Sequence, residues 1–497
     1  MYRRAAPPTA ATIPRLLKLR AAAVLLTCAA AALPATATGQ SGNPPCTGET
    51  SADAVTQKPG PRLRFGITPG AQTGQLGTGP QPPRTPEDPA KQVSALHKLR
   101  PDGTIPFVLR LHRFFWSDGE PGVKRFLALA NRYAAAGFLV ELQLRYHPTP
   151  QQEGDIPAWT AFVRQVVDRF GANPRVVAIQ VTNEVNLPFS PDSSDGAYTG
   201  GRDALVQGVL AAKDEARRKG YSQLEIGFNW AYRSAPQEDD AFWAYLRDHG
   251  GAKFVSALDW IGLDAYPGTF FPPAEAPGRE RDGMVNAMSS IRCYAARAGI
   301  PESKPIHIEE NGFPTSNSPD RSEQRQVDVM RTLVNAVHDF RGTYHVSDYR
   351  WFNLRDGDST SPNFQVRYGL LHDDYTEKPA FGVYRDLVAA LAARAQPGGG
   401  PPGGGPRPHP RPRLRVRCVR HGWRASLHYP PRGTKRVDFL LDGRVVRRDR
   451  TGPFRATLLA RLGKKHRRVH TVAAKVPHGL KLQSRVHRCR RTESRVS

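Results

Sequence analysis

Acidic residues are almost missing from the two ends of this 497-residue chain. Residues 397–497 hold 27 Lys and Arg against 4 Asp and Glu, and residues 1–37 hold 5 basic residues and no acid. The long middle, 38–396, carries 39 basic and 41 acidic residues, so the net charge of +26 resides in the ends. The high pI therefore does not make the whole chain a nucleic-acid binder. Long apolar runs are scarce too. The stretch 21–33 is too short to span a bilayer comfortably. Cysteine is rare, at 5 residues, and no two are spaced as C-x-x-C, which excludes a zinc or redox motif of that type. After the first apolar segment, Phe65-Gly66-Ile67-Thr68-Pro69-Gly70 is not G-x-G-x-x-G, so a dinucleotide fold is disfavoured. Gly and Pro, 45 each, fall below a low-complexity chain, while 39% hydrophobic residues suffice for a packed core.

What is present begins with an export signal. Arg3, Arg4, Arg15, Lys18 and Arg20 precede the apolar run, and Ala35-Thr36-Ala37 is an A-x-A cleavage site, which predicts removal of 1–37 and no membrane span afterwards. Cys28 leaves with the signal. An even set of four in an exported chain favours disulfides. Cys418 and Cys489, at the ends of one basic module, are the expected pair, and Cys46–Cys293 follows by elimination. Residues 38–62 read as an extended lead-in. From 63 to 396 a short apolar strand is followed by an amphipathic helix, eight times. The strands fall near 63–68, 107–112, 138–145, 176–182, 225–228, 260–266, 306–310 and 349–352. Helical patterns include 121–136, 156–170, 201–219, 283–298, 321–340 and 381–395. Apolar runs such as Val176-Val177-Ala178-Ile179 suit parallel strands covered on both faces, and eight such units predict a (β/α)8 TIM barrel of class α/β. A Gly/Pro linker, 397–412, leads to 413–491. There, short alternating segments and the turn Asp442-Gly443 predict a C-terminal all-β sandwich.

Barrel chemistry sits at the C-terminal ends of strands. Strand four ends in Thr182-Asn183-Glu184, and strand seven in Glu309-Glu310-Asn311-Gly312-Phe313-Pro314. Two carboxylates across one glycosidic bond are what hydrolysis requires, one protonating the leaving oxygen and the other attacking the anomeric carbon. On these motifs the chain resembles the clan A retaining (β/α)8 glycoside hydrolases, which include cellulase-like, galactanase-like and xylosidase-like families. The resemblance covers about 60–395. It implies Glu184 as acid/base with Asn183 beside it, and Glu310 as nucleophile. It also implies Tyr266, in Asp264-Ala265-Tyr266-Pro267, near that nucleophile, and Trp351 as a sugar-stacking platform. The run from Gly369 to Ala380 resembles the segment before the last helix. Strand alternation and the spacing to Gly312 select Glu310 over Glu309, which is expected to face outward as a salt-bridge partner.

Arg110, His112, Arg145 and His147 end strands two and three. They read as groups that bind a sugar or hold Glu310 ionised, and equally as an ordinary buried polar network; Arg110 and His147 are taken as substrate-binding. Trp116 and Trp230 are further platform candidates, with core packing the alternative. Asp356 and Asp358 are expected in a solvated loop. No cofactor and no metal is required. The expected activity is hydrolysis of O-glycosidic bonds in a polysaccharide or oligosaccharide by double displacement, outside the cell and as a monomer. A transglycosylase using the same carboxylates, or a non-catalytic cell-surface carbohydrate-binding protein, are the alternatives. The basic module resembles bacterial immunoglobulin-like attachments and reads either as a binder of an anionic cell-wall polymer or as a soluble spacer. Export argues against nucleic acid as its partner.

Overall fold

The structure is a computed structural model that describes residues 46–71, 82–232, 236–270, 277–393, 413–419, 422–428, 434–450, 454–459, 469–476 and 481–487. The expected export segment 1–37, the start of the expected lead-in and the expected linker 397–412 lie outside the described residues.

Eight strands close into a barrel: β1 (Arg64–Ile67), β2 (Val108–Phe115), β3 (Leu139–Arg145), β4 (Val176–Val181), β5 (Glu225–Ala231), β6 (Trp260–Asp264), β7 (Ile306–Asn311) and β8 (Val346–Trp351). They run parallel in sequence order, and β1 pairs with β8. The helices are α1 (Pro89–Leu99), α2 (Gly119–Ala135), α3 (Ile156–Gly171), α4 (Gly201–Lys219), α5 (Pro236–Tyr245), α6 (Gly251–Ala257), α7 (Glu280–Arg297), α8 (Glu323–Phe340) and α9 (Pro379–Leu391). Their starts follow local chemistry. Asp88, Asp155 and Ser322 accept hydrogen bonds from the first free backbone N–H groups of α1, α3 and α8. The fold is the expected TIM barrel. The disulfide Cys46–Cys293 ties the segment before β1 to α7, with Cα atoms 5.5 Å apart.

Alternation divides each strand between two environments. Outward residues such as Phe65, Leu111, Ile179, Phe228, Ile308 and Tyr349 join one apolar cluster with the helices. Inward residues are largely polar and buried: Arg64, Arg110, Glu141, Gln143, Gln180, Asn229, His307, Asp348 and Arg350. They bond to one another. Arg64 reaches Asp348 at 2.6 Å and Glu225 at 2.7 Å, and Arg350 reaches Asp348 at 2.7 Å and Glu141 at 3.2 Å. Such desolvated charges persist only when matched. Gly66 provides the space for Arg350, since a Cβ there would lie 2.7 Å from the Arg350 side chain.

Bulges interrupt this alternation, and those in β7 and β2 bear on the site. Leu263 is in register with Ile308 but Asp264 with Glu310, and Ile308 pairs Tyr349 while Asn311 pairs Trp351. One extra residue in β7 therefore lets both Glu309 and Glu310 enter the barrel. Glu309 does not face outward as alternation predicts. It is fully buried, 3.3 Å from Arg110 Nε. β2 has a matching bulge: Leu111 pairs Leu142 and Phe114 pairs Leu144, with Arg113 at φ 64° in the left-handed region.

The C-terminal strands are β9 (Arg413–Val419), β10 (Gly422–His428), β11 (Val437–Leu441), β12 (Arg444–Asp449), β13 (Arg455–Leu459), β14 (Val469–Lys475) and β15 (Lys481–His487). They form antiparallel sheets ordered β13-β10-β9 and β12-β11-β14-β15. Trp423, Ala425, Leu427 and Leu458 of one sheet pack with Phe439, Leu441, Val472 and Ala474 of the other. Asp442 (φ 49°) and Gly443 (φ 87°) make the two-residue hairpin turn between β11 and β12. Cys418 is disulfide-bonded; Cys489, its expected partner, lies outside the described residues.

Candidate active site

Glu184 follows β4 in a backbone that only a fixed surrounding sustains. Thr182 and Glu184 both take positive φ, at 63° and 47°, and such strain collects at functional sites. Asp195 fastens this turn. Its carboxylate accepts from the backbone N–H of Asn183 at 2.9 Å and of Tyr146 at 3.0 Å, and from Arg145 Nε at 2.9 Å. Asn229 of β5 then accepts from the Glu184 N–H at 2.9 Å. Asn183 is the hub of these strands. Its Oδ1 accepts from Gln143 at 2.7 Å, Asn229 at 2.7 Å and Gln180 at 3.0 Å, while its Nδ2 donates to Ser193 O at 2.8 Å. It positions the turn that carries Glu184.

Glu310 ends β7 on the facing side. Arg110 Nη1 donates to its Oε1 at 2.8 Å and Tyr266 OH to its Oε2 at 2.7 Å. Both bonds fix the orientation of the carboxyl group. Burial works against the Arg110 charge, but Glu310, Asp264, Glu309 and Glu141 outweigh it and hold the guanidinium protonated. Burial, followed by Glu310, likewise keeps the Tyr266 phenol protonated, fit to donate.

Asp264, at the end of β6, completes the site. One oxygen each from Glu184, Asp264 and Glu310 lie within 4.8 Å of one another. Burial, then the Glu310 charge, pushes the Glu184 carboxyl up to about 8. The same two causes, then Glu184, raise Asp264 well above the usual range, and Asn229 Nδ2 donates to it. The site therefore holds acids beside one carboxylate clamped by a cation. Among the described residues this trio is the one group convergent enough to hold a metal ion. Arg110 already supplies the cation at Glu310, so the donor set favours a proton between the carboxyls.

Phe352 and Tyr368 form an aromatic wall here. Phe352 meets His112, Tyr266 and Tyr368 edge-on, with centroids 5.6, 6.4 and 5.5 Å apart. His112 Nδ1 lies 3.7 Å from Glu310 Oε1, and burial followed by Arg110 keeps the ring neutral.

The structure thus brings together Glu184, Glu310, Asn183, Tyr266 and Arg110. Arg110 clamps the nucleophile candidate and is fully buried, which is the second of the roles its sequence context left open. Two expected residues fall elsewhere. Trp351 is fully buried under α9 with its ring 6.2 Å from Tyr384; Arg350 points inward, so its neighbour must point outward. His147 stacks on Phe115 at 4.2 Å and meets Ser117 Oγ at 3.1 Å, making no bond to either carboxylate. Trp116 and Trp230 are buried in the core. Asp356 is not solvated but buried with Lys378 at 2.8 Å. Asp264, Asn229, Gln180 and Asp195 were missed. Asp264 alone had a signal, an ionisable residue at a strand end two positions before Tyr266.

No family description and no curated protein matches the chain. Solved structures resemble it at low identity. A calcium-binding mutant of Bacteroides uniformis β-glucuronidase 2 is 12% identical, with TM-score 0.43, over 86% of this chain and 45% of that one. A β-glucosidase, 1317, is 18% identical, with TM-score 0.43, over 61% and 88%. A Ruminococcus gnavus β-glucuronidase is 13% identical, with TM-score 0.42, over 66% and 50%. The chain thus spans less than half of the Bacteroides uniformis protein and half of the Ruminococcus gnavus one. What the site can do follows from its own geometry.

Proposed function

We propose that this chain is an exported retaining glycoside hydrolase, with Glu310 as nucleophile and Glu184 as acid/base. One observation carries the reading: at the ends of β4 and β7 two carboxyl groups bring an oxygen each to within 4.8 Å, Glu184 pushed up to about 8 by burial and then by the Glu310 charge, and Glu310 held by Arg110 and Tyr266. An inverting enzyme needs roughly 6.5–9.5 Å between its carboxyls to seat a water, and a retaining one about 5–5.5 Å. Protonated Glu184 gives its proton to the leaving oxygen as Glu310 Oε attacks the anomeric carbon. The C–O bond to the aglycone breaks and a glycosyl ester forms. Glu184, now ionised, takes a proton from water, which attacks the anomeric carbon and releases Glu310. Tyr266 and Arg110 hold Glu310 in line throughout. Asp264 hydrogen-bonds Glu184 and steadies it when it ionises.

The substrate class proposed is a poly- or oligosaccharide, and the basic domain is proposed to hold the enzyme on an anionic envelope polymer. The Cys46–Cys293 disulfide supports export. The test uses a panel of activated aryl glycosides and their 2-deoxy-2-fluoro analogues. Turnover, with a glycosyl adduct mapped by mass to Glu310, is expected. Near-normal turnover by Glu310→Gln would falsify the assignment.

A further inference from the structure

The three-stranded sheet of the C-terminal domain has one face in the core and one in water. Trp423, Ala425, Leu427, Ala456 and Leu458 point into the core. Their alternates on the same strands point out. The cross-strand register fixes how those alternates lie. Arg424 of β10 sits between Arg417 of β9 and Thr457 of β13, and Ser426 sits between Arg415 and Arg455. All four arginines are exposed, and none of their guanidinium groups forms a salt bridge among the described residues, although the Arg455 backbone N–H donates to Asp449 Oδ2 at 2.8 Å. Adjacent strands are about 4.8 Å apart and alternate residues about 6.8 Å, so the four guanidinium stems stand on one small plane. Like charges directly opposite, such as Arg417 and Arg424, weaken a sheet. Folding therefore gains nothing from this arrangement.

The other sheet is built differently. At the centre of its outer face stands Asp438, in register with Arg448 and Lys475. Arg436 Nε and Arg448 Nε lie 3.3 and 3.9 Å from its carboxylate. That face contains its own counter-charge.

We propose that the outer face of the β13-β10-β9 sheet is the docking site for a linear polymer of phosphodiesters, a polyol phosphate of the cell envelope, with Arg415, Arg417, Arg424 and Arg455 each taking a phosphate. The proposal rests on the reading of this domain as the part that holds the enzyme on an anionic polymer. Guanidinium matches phosphate oxygens in a bidentate fork, and the exposed cations of this face among the described side chains are all arginine. Single-stranded nucleic acid is held by aromatic side chains on which bases stack. Among the described side chains, Ser426 and Thr457 stand between these arginines and offer hydrogen bonds rather than a ring.

The test measures binding of the full chain to poly(glycerol phosphate) at several salt concentrations, with oligo(dT) and polygalacturonate beside it. Four phosphate contacts give a slope of log affinity on log salt of about −3, a loss of about fiftyfold from roughly 50 to 200 mM salt. The quadruple variant Arg415→Gln, Arg417→Gln, Arg424→Gln, Arg455→Gln is expected to lose that part of the slope. A matched variant off the face, Arg444→Gln, Arg447→Gln, Lys475→Gln, Arg485→Gln, is expected to keep most of it. Thermal melting checks that both variants fold. Equal losses in the two variants overturn the face and leave the anionic-partner reading standing. Tighter binding of oligo(dT) or polygalacturonate than of poly(glycerol phosphate) overturns the ligand class. No binding to any of the three by the parent overturns the face and the partner reading together.

Discussion

Replacing Glu310 by Gln is expected to lower the pKa of a different residue, Glu184. The Glu184 carboxyl stands at about 8, raised first by burial and then by the Glu310 charge. The nearest oxygens of the two groups are within 4.8 Å. At that separation and an effective dielectric of about 20, one unit charge contributes about 3 kcal/mol, or roughly two pKa units. Arg110, left beside a neutral amide, pushes the same way. Glu184 should therefore fall by roughly two units while staying above an exposed glutamate, because burial remains. The assay is a carbon-13 NMR titration of labelled glutamate, assigned by its loss in Glu184→Gln. Adding Asp264→Asn leaves a single acid to follow. An unmoved Glu184 would refute an ionised Glu310 in contact with it. A fall to the ordinary glutamate value would refute burial as the larger cause.

Other consequences are equally accessible. In Glu184→Ala, turnover should survive best on substrates with good leaving groups and be rescued by azide with retained anomeric configuration; rescue with inversion would reassign the roles. Arg110→Met removes the cation from a fully buried site holding Glu309 and Glu310. A loss of roughly 3–5 kcal/mol in urea unfolding is expected, as for other broken buried pairs, together with a fall in kcat; unchanged unfolding would deny the clamp. Glu141 is pushed up to about 8 by burial first and then by Glu309. Its folded pKa exceeds the unfolded one, so its stability contribution is complete below about pH 4 and is lost as pH rises toward 8. Glu141→Gln should accordingly raise Tm at pH 9 and change it little at pH 5, and the reverse pattern would place the proton elsewhere. Trp351→Phe should lower Tm and leave KM unchanged, whereas a large KM effect would return Trp351 to the sugar.

The barrel was legible because its strands are short apolar runs alternating with longer helical patterns, and because Asn183-Glu184 and Glu310-Asn311-Gly312 follow two of them. The hairpin at Asp442-Gly443 was legible from the turn chemistry those two residues supply. Misreadings arose where one rule met a second effect. Two-residue alternation sent Glu309 outward, but an extra residue in β7 keeps it inside, and a bulge has no signature in a single sequence. Alternation applied to Trp351 would have sent it under α9, yet its place after strand eight suggested a platform. Asp195 and Asn229 were hidden because their work is done across space: they hold the backbone of Glu184 from a loop and a neighbouring strand, 11 and 45 positions away.

The bulge in β7 and the polar interior explain each other. A regular strand offers one inward side chain per two residues, so one guanidinium would meet one acid at each level. The extra residue in β7 presents Glu309 and Glu310 together, and Arg110 spans them, at 3.3 Å through Nε and 2.8 Å through Nη1. Glu309 leads onward to Glu141, which shares its field, and Glu141 to Arg350 at 3.2 Å, Asp348 at 2.7 Å and Arg64 at 2.6 Å. Glu310, the proposed nucleophile, is thus the last member of a chain of buried acids and guanidinium groups running through the barrel. A barrel filled with Val and Leu fixes its strands by packing alone. This interior also fixes the position of Glu310, because Arg110, itself held by Glu309, grips one of its oxygens. The polar interior is then what seats Arg110 beside the proposed nucleophile. Glu309→Gln, which touches no substrate, is expected to shift the acidic limb of kcat/KM and to leave KM for a neutral glycoside unchanged. Loss of folding without any such shift, in the fraction that remains soluble, would reduce the chain to scaffolding.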